Sequence, residues 1–452
     1  MRLIVHFSRF GPYHHARLRA VAGELAPFGW EVIGLQTASM DTTSDWRESK
    51  AVPGGPGCEG EVVTVFPGRV YEEIPSWGYR RSVVACLNDL AADAVAVPGW
   101  GTLDARVSLG WCRRRGAKAV IMSETREVDG DRLWWKEPIK RLLMRHVHGA
   151  LVGGAAHRDY LIKLGVPAAR IVTGYNVVDN AYFAAEAARW RAVSSRRSAM
   201  GGASVSGGDT VGGERWAVGG KDSADLVEMR PFFLASNRFI ERKNLVGLIE
   251  AYAQFCQLTS LRSVHLQSFQ SLRMLTANSQ ALPAQWPLCL LGDGDMKPWL
   301  MTRCRGLGLN VIESAPWELE TSNLKLAATE GTVFFPGFRQ IDELPRFYAH
   351  AGAFIHPALE EPWGLVINEA MACGLPVLSG DHVGAAAELI REGVNGWTFD
   401  AAEVAAMAET MGRLASLPEE ERLAMGQAGA ALLEERCPTL AFARGLRQLL
   451  EQ

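Results

Sequence analysis

Short apolar runs alternate with amphipathic stretches along the first part of the chain. Residues 1–7 form an apolar run of strand length, and residues 14–29 then repeat apolar positions at helical spacing up to Gly29. Further runs of strand length, separated by amphipathic stretches, cover residues 31–37, 94–100, 118–124 and 149–154. Strands that alternate with helices predict a parallel, doubly wound sheet.

The alternation stops in a segment rich in glycine and serine and then resumes. Residues 197–224 are nearly aperiodic and lack the GxxxxGK(S/T) or GxGxxG frame of a phosphate-binding loop, which favours a flexible linker. Runs of strand length return at 231–237, 288–294, 332–338, 352–358 and 375–380. We therefore predict an α/β protein with two Rossmann-like domains and a ligand cleft between them. The predicted N-terminal domain covers residues 1–185, and a Gly/Ser-rich linker or disordered insertion covers 186–229. The predicted C-terminal domain covers 230–430. Residues 431–452 form a predicted C-terminal helix, for which packing against the N-terminal domain is one option.

Composition narrows the class of protein. Of the 452 residues, 48% are hydrophobic and 21% are charged, which excludes a mainly disordered chain. The net charge of −3 does not favour nucleic acid as a partner. The eight cysteines form no CxxC pair, which is typical of core residues in a reducing compartment. Without a signal-like N-terminus or a long apolar run, we expect a soluble, cytoplasmic protein.

Two carboxylates flank a predicted helix start in the segment 356–400. Glu361 lies in a loop, and Glu369 follows about one turn inside the helix LVINEAMACG. The amides of Gly364–Val366 begin this helix, lack intrahelical partners and are suited to bind phosphate or sugar hydroxyls. Glu369 is placed to accept hydrogen bonds from ribose hydroxyls, and Glu361 from those of a hexose. The alternative is a common helix-terminal carboxylate beside a solvated loop glutamate.

Two cations precede another predicted helix. Arg238 closes a strand, and Lys243 follows five residues later, next to Asn244 as a candidate cap. This spacing suits a diphosphate, or the negative charge that develops on a leaving group. An exposed loop with solvated charges is the alternative.

These motifs, in the order strand-R…K-N-helix, LLGDGD, FFPGF and PALEEPWGLVINEAMACGLPV, resemble the second domain of family 4 glycosyltransferases. The resemblance implies the GT-B fold and transfer of a sugar from a nucleotide sugar with retention of configuration, without a required metal or other cofactor. It implies catalytic roles for Glu361, Arg238 and Lys243. Residues implied in donor binding are Glu369, Gly364, Leu365, Val366, Trp363, Phe338, Arg339, Gly292 and Gly11.

The first domain departs from the family pattern. Pro12 replaces a second glycine after Gly11, and Glu124 and Arg126 stand where many members carry a histidine. His14, Glu124 and Arg126 are therefore the acceptor-side candidates. For His14, a capping or surface role is the alternative.

The basic, tryptophan-containing stretch 133–148 allows two interpretations. Its apolar residues suit peripheral attachment to an anionic membrane, which would present a lipid-linked acceptor. Packing of that apolar face on the sheet is the alternative, and we favour it because Pro138 lies early in the stretch and the face is short. The residues proposed for the face are Trp134, Trp135, Leu142, Leu143 and Val147.

The resemblance, together with the basic stretch 133–148, implies a hexosyltransferase that acts on a hydroxyl of a glycan, glycolipid or lipid-linked acceptor, in cell-envelope or exopolysaccharide assembly. Front-face displacement is the favoured route, with Arg238 and Lys243 stabilising the leaving diphosphate. The alternatives are another GT-B enzyme, such as an epimerase or phosphorylase, or a non-catalytic nucleotide-sugar-binding protein.

Overall fold

The structure is a computed structural model that describes residues 1–42, 46, 62–130, 133–199, 231–268, 286–318 and 331–452. Within these residues the chain forms two parallel sheets of seven strands each, with helices on both faces. The predicted α/β architecture of two Rossmann-like domains is confirmed.

The first sheet has the strand order β3-β2-β1-β4-β5-β6-β7. Its order reverses between β1 and β4, and such a switch point opens a crevice at the carboxyl ends of the strands. The strands are β1 Arg2–Phe7, β2 Glu31–Met40, β3 Val62–Val70, β4 Ala94–Pro98, β5 Lys118–Ser123, β6 Gly149–Val152 and β7 Ile171–Thr173.

Side chains that alternate along β1 enter two different cores. Ile4 packs with the helices of one face, and Leu3 and Val5 pack with those of the other. Both faces are thus buried, as a parallel sheet requires. The helices of this domain are α1 Pro12–Leu25, α2 Ser76–Asp89, α3 Leu103–Arg115, α4 Lys136–Met144, α5 Ala155–Lys163 and α6 Asn180–Ala199.

The second sheet repeats this arrangement with the order β10-β11-β9-β8-β12-β13-β14. Its strands are β8 Phe233–Ser236, β9 Leu288–Leu291, β10 Asn310–Ile312, β11 Thr332–Gly337, β12 Ala353–His356, β13 Val377–Gly380 and β14 Gly396–Phe399. Its helices are α7 Leu245–Ser268, α8 Lys297–Gly306, α9 Leu344–His350, α10 Leu365–Ala372, α11 Gly384–Leu389, α12 Val404–Ala415 and α13 Glu419–Arg436.

The last helix, α14 (Leu440–Glu451), lies against the first domain. It contacts α1, β6 and β7, and Leu449 packs so closely on Gly149 that a Cβ there would lie 2.7 Å from the leucine Cδ2. The end of the chain therefore contributes to the core of the domain in which the chain begins.

Helix α6 changes the predicted boundary of the linker. It continues to Ala199, so residues 186–199 are helical rather than part of a linker. The side chain of Arg191 donates hydrogen bonds to the carbonyl oxygens of Ala349 (3.2 Å) and Cys373 (2.5 Å) in the second domain, which explains why this stretch is ordered against it. Most of the Gly/Ser-rich segment, residues 200–230, lies outside the described residues.

The amphipathic stretch around α4 corrects a second prediction. Its apolar residues do not all pack on the sheet: Trp134 is 84% exposed, and Trp135, Ile139 and Leu142 are about half exposed. Of the residues within α4, Met144 reaches the core. The favoured interpretation, an apolar face buried on the sheet, is therefore wrong for most of this surface.

Candidate functional site

Loops at the carboxyl ends of β8 and β12 bring two cations onto one carboxylate. Arg242 donates a hydrogen bond from Nη1 to Oε2 of Glu361 at 3.0 Å, and the ammonium group of Lys243 donates to the same oxygen. Burial lowers the pKa of Lys243, an effect that Glu361 opposes, and the charges of Arg242 and Arg238 lower it further. The predicted cation Lys243 thus pairs with Glu361 together with Arg242, and the predicted cation Arg238 lies close enough for its charge to act on Lys243.

The next helix begins beside this charged cluster. Gly364 precedes α10 with a φ of +99°, a conformation that favours glycine, and a Cβ at this position would lie 3.2 Å from Val383. The first amides of α10, from Leu365 and Val366, therefore belong to a helix start next to Glu361, where their partial positive charge attracts anions.

His356, at the end of β12, lies beneath this helix start. Its ring is fully buried, and neither nitrogen has a hydrogen-bond partner within the described part of the chain. Burial lowers its pKa well below the ordinary value, and the charges of Lys243 and Arg242 lower it further. The imidazole is therefore neutral and keeps an unused hydrogen-bonding capacity.

Glu369 lies one turn inside α10 and joins the two domains. Tyr13, from α1 of the first domain, donates to its Oε1 at 2.7 Å, and Tyr348, from α9 of the second, donates to Oε2 at 2.7 Å. The carboxyl is 1% exposed, and its burial raises the pKa to about 7, although both hydroxyls oppose this shift. The carboxylate predicted to bind ribose is thus present, with both oxygens occupied by tyrosines.

Aromatic side chains from both domains meet beyond Tyr13. The ring of Trp46 lies 6.3 Å from that of Tyr13 and 5.0 Å from that of Phe338, edge to face in both cases. The neighbouring Arg339 pairs with Glu343 at 3.2 Å and with Glu318 at 3.5 Å. Phe338 therefore lies in contact with the first domain, and its predicted place beside a nucleobase stays a prediction, whereas carboxylates already balance the charge of Arg339.

Two predicted donor residues have mainly structural surroundings. Trp363 is 1% exposed, lies against Gly153 of the first domain and donates a hydrogen bond to Asn368 at 2.9 Å, so it is not an open sugar platform. Gly292 has a φ of +136°, and a Cβ there would lie 1.8 Å from the carbonyl oxygen of Asn237. Its glycine is required by this close approach of two backbones.

The first turn of α1 explains Gly11 and His14. The amide of Gly11 donates to Nδ1 of His14 at 3.0 Å, and the imidazole stacks on Phe7 with ring centres 3.9 Å apart. Burial lowers the pKa of His14 to about 3, helped by the charge of Arg17. His14 is therefore a neutral capping residue, and the Gly11 amide is used within the helix start rather than offered to a diphosphate.

The other acceptor-side candidates have different environments. Glu124 is exposed in the cleft, yet desolvation by the surrounding protein raises its pKa; the charge of Arg17 opposes this shift, while that of Glu361 adds to it. Arg126 donates to Asp129 at 2.8 Å and to the carbonyl oxygen of His382 in the second domain at 3.1 Å. Arg126 thus links the domains, and Glu124 is the predicted acceptor-side residue that faces the reactive cluster.

Sequence reasoning missed several residues of this site, namely Tyr13, Trp46, Arg242, Tyr348 and His356. Arg242 is adjacent to a predicted cation, Tyr13 lies in the turn that contains Gly11, and His356 opens the segment 356–400, so local signals existed for these three. Trp46 and Tyr348 lie outside these motifs and reach the site through the fold.

The residues that the structure describes contain no group of three or more histidine, cysteine, aspartate or glutamate side chains arranged to hold a metal ion. They also contain no helix with the length and hydropathy needed to cross a bilayer.

Comparison with known proteins finds relatives for part of the chain. Residues 221–431 match the family of glycosyl transferases group 1. The chain is 34% identical over 110 residues to a D-inositol 3-phosphate glycosyltransferase of Salinispora tropica, which covers 24% of this chain and 22% of that protein. It is 46% identical over 181 residues to sucrose synthase 4 of Oryza sativa subsp. japonica, covering 38% and 18%. The chain thus spans less than a quarter of the length of these relatives.

Solved structures show the same fold over the whole chain. The Anabaena protein HepE, in complex with UDP and glucose, aligns with a TM-score of 0.60 and 16% identity, covering 100% of this chain and 99% of that one. A trehalose 6-phosphate synthase of Burkholderia multivorans aligns with a TM-score of 0.62 and 15% identity, covering 100% and 98%. The two domains and their cleft therefore form a GT-B fold.

The raised pKa of Glu369 predicts a pH-dependent stability. Because the folded state binds this proton more tightly than the unfolded state, the free energy of unfolding falls by about 3 kcal/mol as the pH rises from below 4.5 to above 7. In Glu369→Gln this group no longer titrates. We therefore expect the urea midpoint of Glu369→Gln minus that of wild type to increase from pH 5 to pH 8. Glu420→Gln, at an exposed glutamate, is the control, and parallel profiles for wild type and Glu369→Gln would contradict the prediction.

Proposed function

We propose that this chain, whose second domain matches the group 1 glycosyl transferases, transfers a hexose from a nucleoside diphosphate sugar to a hydroxyl acceptor, with retention at the anomeric carbon and without a metal cofactor. The observation that carries the proposal is the cluster of Arg242, Lys243 and Glu361 at the start of α10, with Glu369 one turn inside the same helix.

The charge of the cluster suits a diphosphate. Arg238, Arg242 and Lys243 together with Glu361 leave two net positive charges, and the amides at the start of α10 add partial positive charge. The buried side chains of His356 and Asn237 have no hydrogen-bond partner among the described residues. Since unpartnered buried polar groups are rare, they support a polar ligand at this position.

The nucleoside then extends toward Glu369. In a donor complex the ribose hydroxyls would donate to this carboxylate in place of Tyr13, and the base would lie near Phe338 and Trp46. The two paired cations both reach Oε2 of Glu361, so its Oε1 is oriented by them and suited to accept a hydrogen bond from a hexose hydroxyl.

The reaction follows from these placements. The bond between the anomeric carbon and the diphosphate oxygen breaks while the acceptor oxygen bonds to the same carbon on the same face. The departing diphosphate oxygen takes the acceptor proton, and Arg238, Arg242 and Lys243 stabilise its negative charge. Because Glu361 is held by two cations, it serves as a positioning group rather than as a nucleophile.

Loss of a cation should reduce turnover. We expect one of a panel of UDP-, GDP- and ADP-sugars to release its nucleotide slowly in the absence of an acceptor, because water replaces the acceptor hydroxyl. Lys243→Ala should lower this turnover about a hundredfold, as does the removal of one donor to a developing oxyanion. Nucleotide release is measured by a coupled assay, with Lys163→Ala in the first domain as the control. Wild-type turnover by Lys243→Ala, or no binding across the panel, would contradict the proposal.

The two tyrosines on Glu369 should have opposite effects on nucleotide affinity. Tyr13 competes with ribose for the carboxylate, so Tyr13→Phe should bind the nucleoside diphosphate about 3- to 10-fold more tightly. This factor corresponds to the free energy of about one hydrogen bond. Tyr348 orients Glu369 from the same domain, so Tyr348→Phe should bind it more weakly. Isothermal titration calorimetry measures both, and an equal loss in the two variants would show that Tyr13 does not compete.

We further propose that the exposed surface around α4 contacts an anionic membrane, where a glycolipid or lipid-linked acceptor of cell-envelope assembly is available. The exposed Trp134, Trp135 and Ile139 suit the bilayer interface, and Lys136 and Arg141 complement anionic headgroups. Helix α4 follows β5, so its start lies at the carboxyl edge of the sheet, on the side of the cleft.

Vesicle binding tests this surface. The double variant Trp134→Ala, Trp135→Ala should partition at least about tenfold more weakly onto vesicles that contain phosphatidylglycerol, because two indole rings lose their apolar contact. Trp299→Ala, at a half-exposed tryptophan of the second domain, is the matched control. Co-sedimentation provides the measurement. Equal binding by the double variant, or binding that does not depend on phosphatidylglycerol, would argue against this contact.

A further inference from the structure

A separate cavity of about 320 Å³ opens at the carboxyl edge of the first sheet. Its walls come from the residues that follow β1, β2 and β3 and from the end of β4, which are neighbouring strands. Polar groups surround it, and Phe7 and Pro98 supply apolar wall. The polar side chains that line it are Ser8, Arg9, His14, Asp41, Tyr71 and Glu72.

A buried carboxylate sets the polarity of the cavity floor. Asp104 is fully buried and accepts hydrogen bonds from the hydroxyls of Ser8 (3.0 Å), Tyr71 (3.0 Å) and Thr37 (2.7 Å). The hydroxyls of Ser8 and Tyr71 therefore donate inward, and each of their oxygens keeps lone pairs to accept a hydrogen bond from a ligand. The floor thus accepts hydrogen bonds from a bound molecule.

The rim of the cavity carries more negative than positive charge. Arg9 pairs with Asp41 at 3.2 Å and donates to the carbonyl oxygen of Trp46 at 2.5 Å, so its charge is balanced. Glu72 accepts a hydrogen bond from the amide of Thr42 at 3.1 Å and has no cation among these lining side chains to balance it. The net charge of the lining is therefore −1 with His14 neutral.

The first turn of α1 connects this cavity to the nucleotide site. Tyr13 reaches Glu369, and the next residue, His14, lines the cavity. With Nδ1 of His14 accepting the Gly11 amide, the hydrogen of the neutral ring lies on Nε2. Consecutive residues of α1 therefore link the cavity to the carboxylate at which the ribose is proposed to bind.

We propose that this cavity is the acceptor subsite and that it selects an uncharged, hydroxyl-rich group, such as the terminal sugar of a glycoside, over a sugar phosphate. The inference rests on the proposed function and names its acceptor class. Ser8, Tyr71, Asp41 and Glu72 accept hydrogen bonds from hydroxyls, whereas a phosphate dianion would meet an unbalanced carboxylate and an arginine that is already paired. The apolar wall formed by Phe7 and Pro98 suits the face of a sugar ring that carries C–H groups.

A panel of acceptors tests this selectivity. The neutral members are the methyl glycosides of glucose, galactose and mannose and myo-inositol. The charged members are glucose 6-phosphate, mannose 6-phosphate and inositol 3-phosphate. With the donor that the protein uses, we expect kcat/KM for the best neutral acceptor to exceed that for the best phosphate at least about tenfold. Saturation-transfer NMR with the nucleoside diphosphate present measures binding of each member without requiring turnover.

Two adjacent glutamates provide a matched pair of variants. Both glutamates are exposed, and Glu72 lines the cavity whereas Glu73 does not. Glu72→Gln removes the unbalanced charge, so the ratio of neutral to phosphate kcat/KM should fall at least about fivefold. Glu73→Gln should keep the wild-type ratio. Asp41→Asn, which releases Arg9 from its partner, should shift the ratio in the same direction as Glu72→Gln.

The outcomes separate this inference from the proposed function. Nucleotide release from the donor together with a preference for sugar phosphates, or with no binding of the neutral members, would overturn the acceptor class and leave the transferase intact. Equal ratios in Glu72→Gln and Glu73→Gln would show that this cavity does not select the acceptor. No binding or turnover of any donor would refute the proposed function itself.

Discussion

A buried carboxylate at the contact between the two domains constrains the whole arrangement. Removing Glu369 from water is costly unless hydrogen bonds replace the lost solvent. One of its two tyrosine partners belongs to the first domain and the other to the second, so full satisfaction of the carboxyl requires the domains to approach. Even with both tyrosine hydroxyls in place, the pKa of Glu369 is about 7, because burial raises it more than the two hydrogen bonds lower it.

Other contacts across the cleft reinforce this closed arrangement. Trp363 of the second domain is buried against Gly153 of the first, and His157 hydrogen-bonds to the carbonyl oxygen of Pro362 at 3.1 Å. Arg126 donates a further hydrogen bond across the interface between the domains, to the carbonyl oxygen of His382. Residues of the donor-side motif therefore have two roles, since the loop that bears Glu361 also supplies the surface on which the first domain rests.

The polar interior of the cleft contrasts with this tight packing. His356 and Asn237 are buried without hydrogen-bond partners in the described ranges, whereas the carboxylates Glu361 and Glu369 are satisfied by neighbouring side chains. In the proposed donor complex, His356 and Asn237 would gain hydrogen-bond partners, and Glu369 would exchange Tyr13 for the ribose. That exchange would couple nucleotide binding to the relative position of the domains, because Tyr13 belongs to the first domain.

The sequence by itself determined the interior of both sheets. All the strands predicted from apolar runs are interior strands, because a strand buried on both faces reads as a continuous apolar segment. The missed strands β3, β7, β10 and β14 are the edges of the two sheets. β3 is partly exposed, and β7 and β10 have three residues each, so these strands lack that signal, whereas β14 has four mostly buried residues like an interior strand.

For the site, sequence determined which charged residues and which helix start would be present, because Arg238, Lys243, Glu361, Gly364 and Glu369 stand in local motifs. Only the tertiary structure decided their partners. Tyr13 lies 356 residues from Glu369, and the neutral state of His14 and the inter-domain role of Arg126 likewise depend on burial and on distant segments. Local spacing records which residues share an element, whereas hydrogen-bond partners and pKa values depend on what the fold brings within a few ångströms.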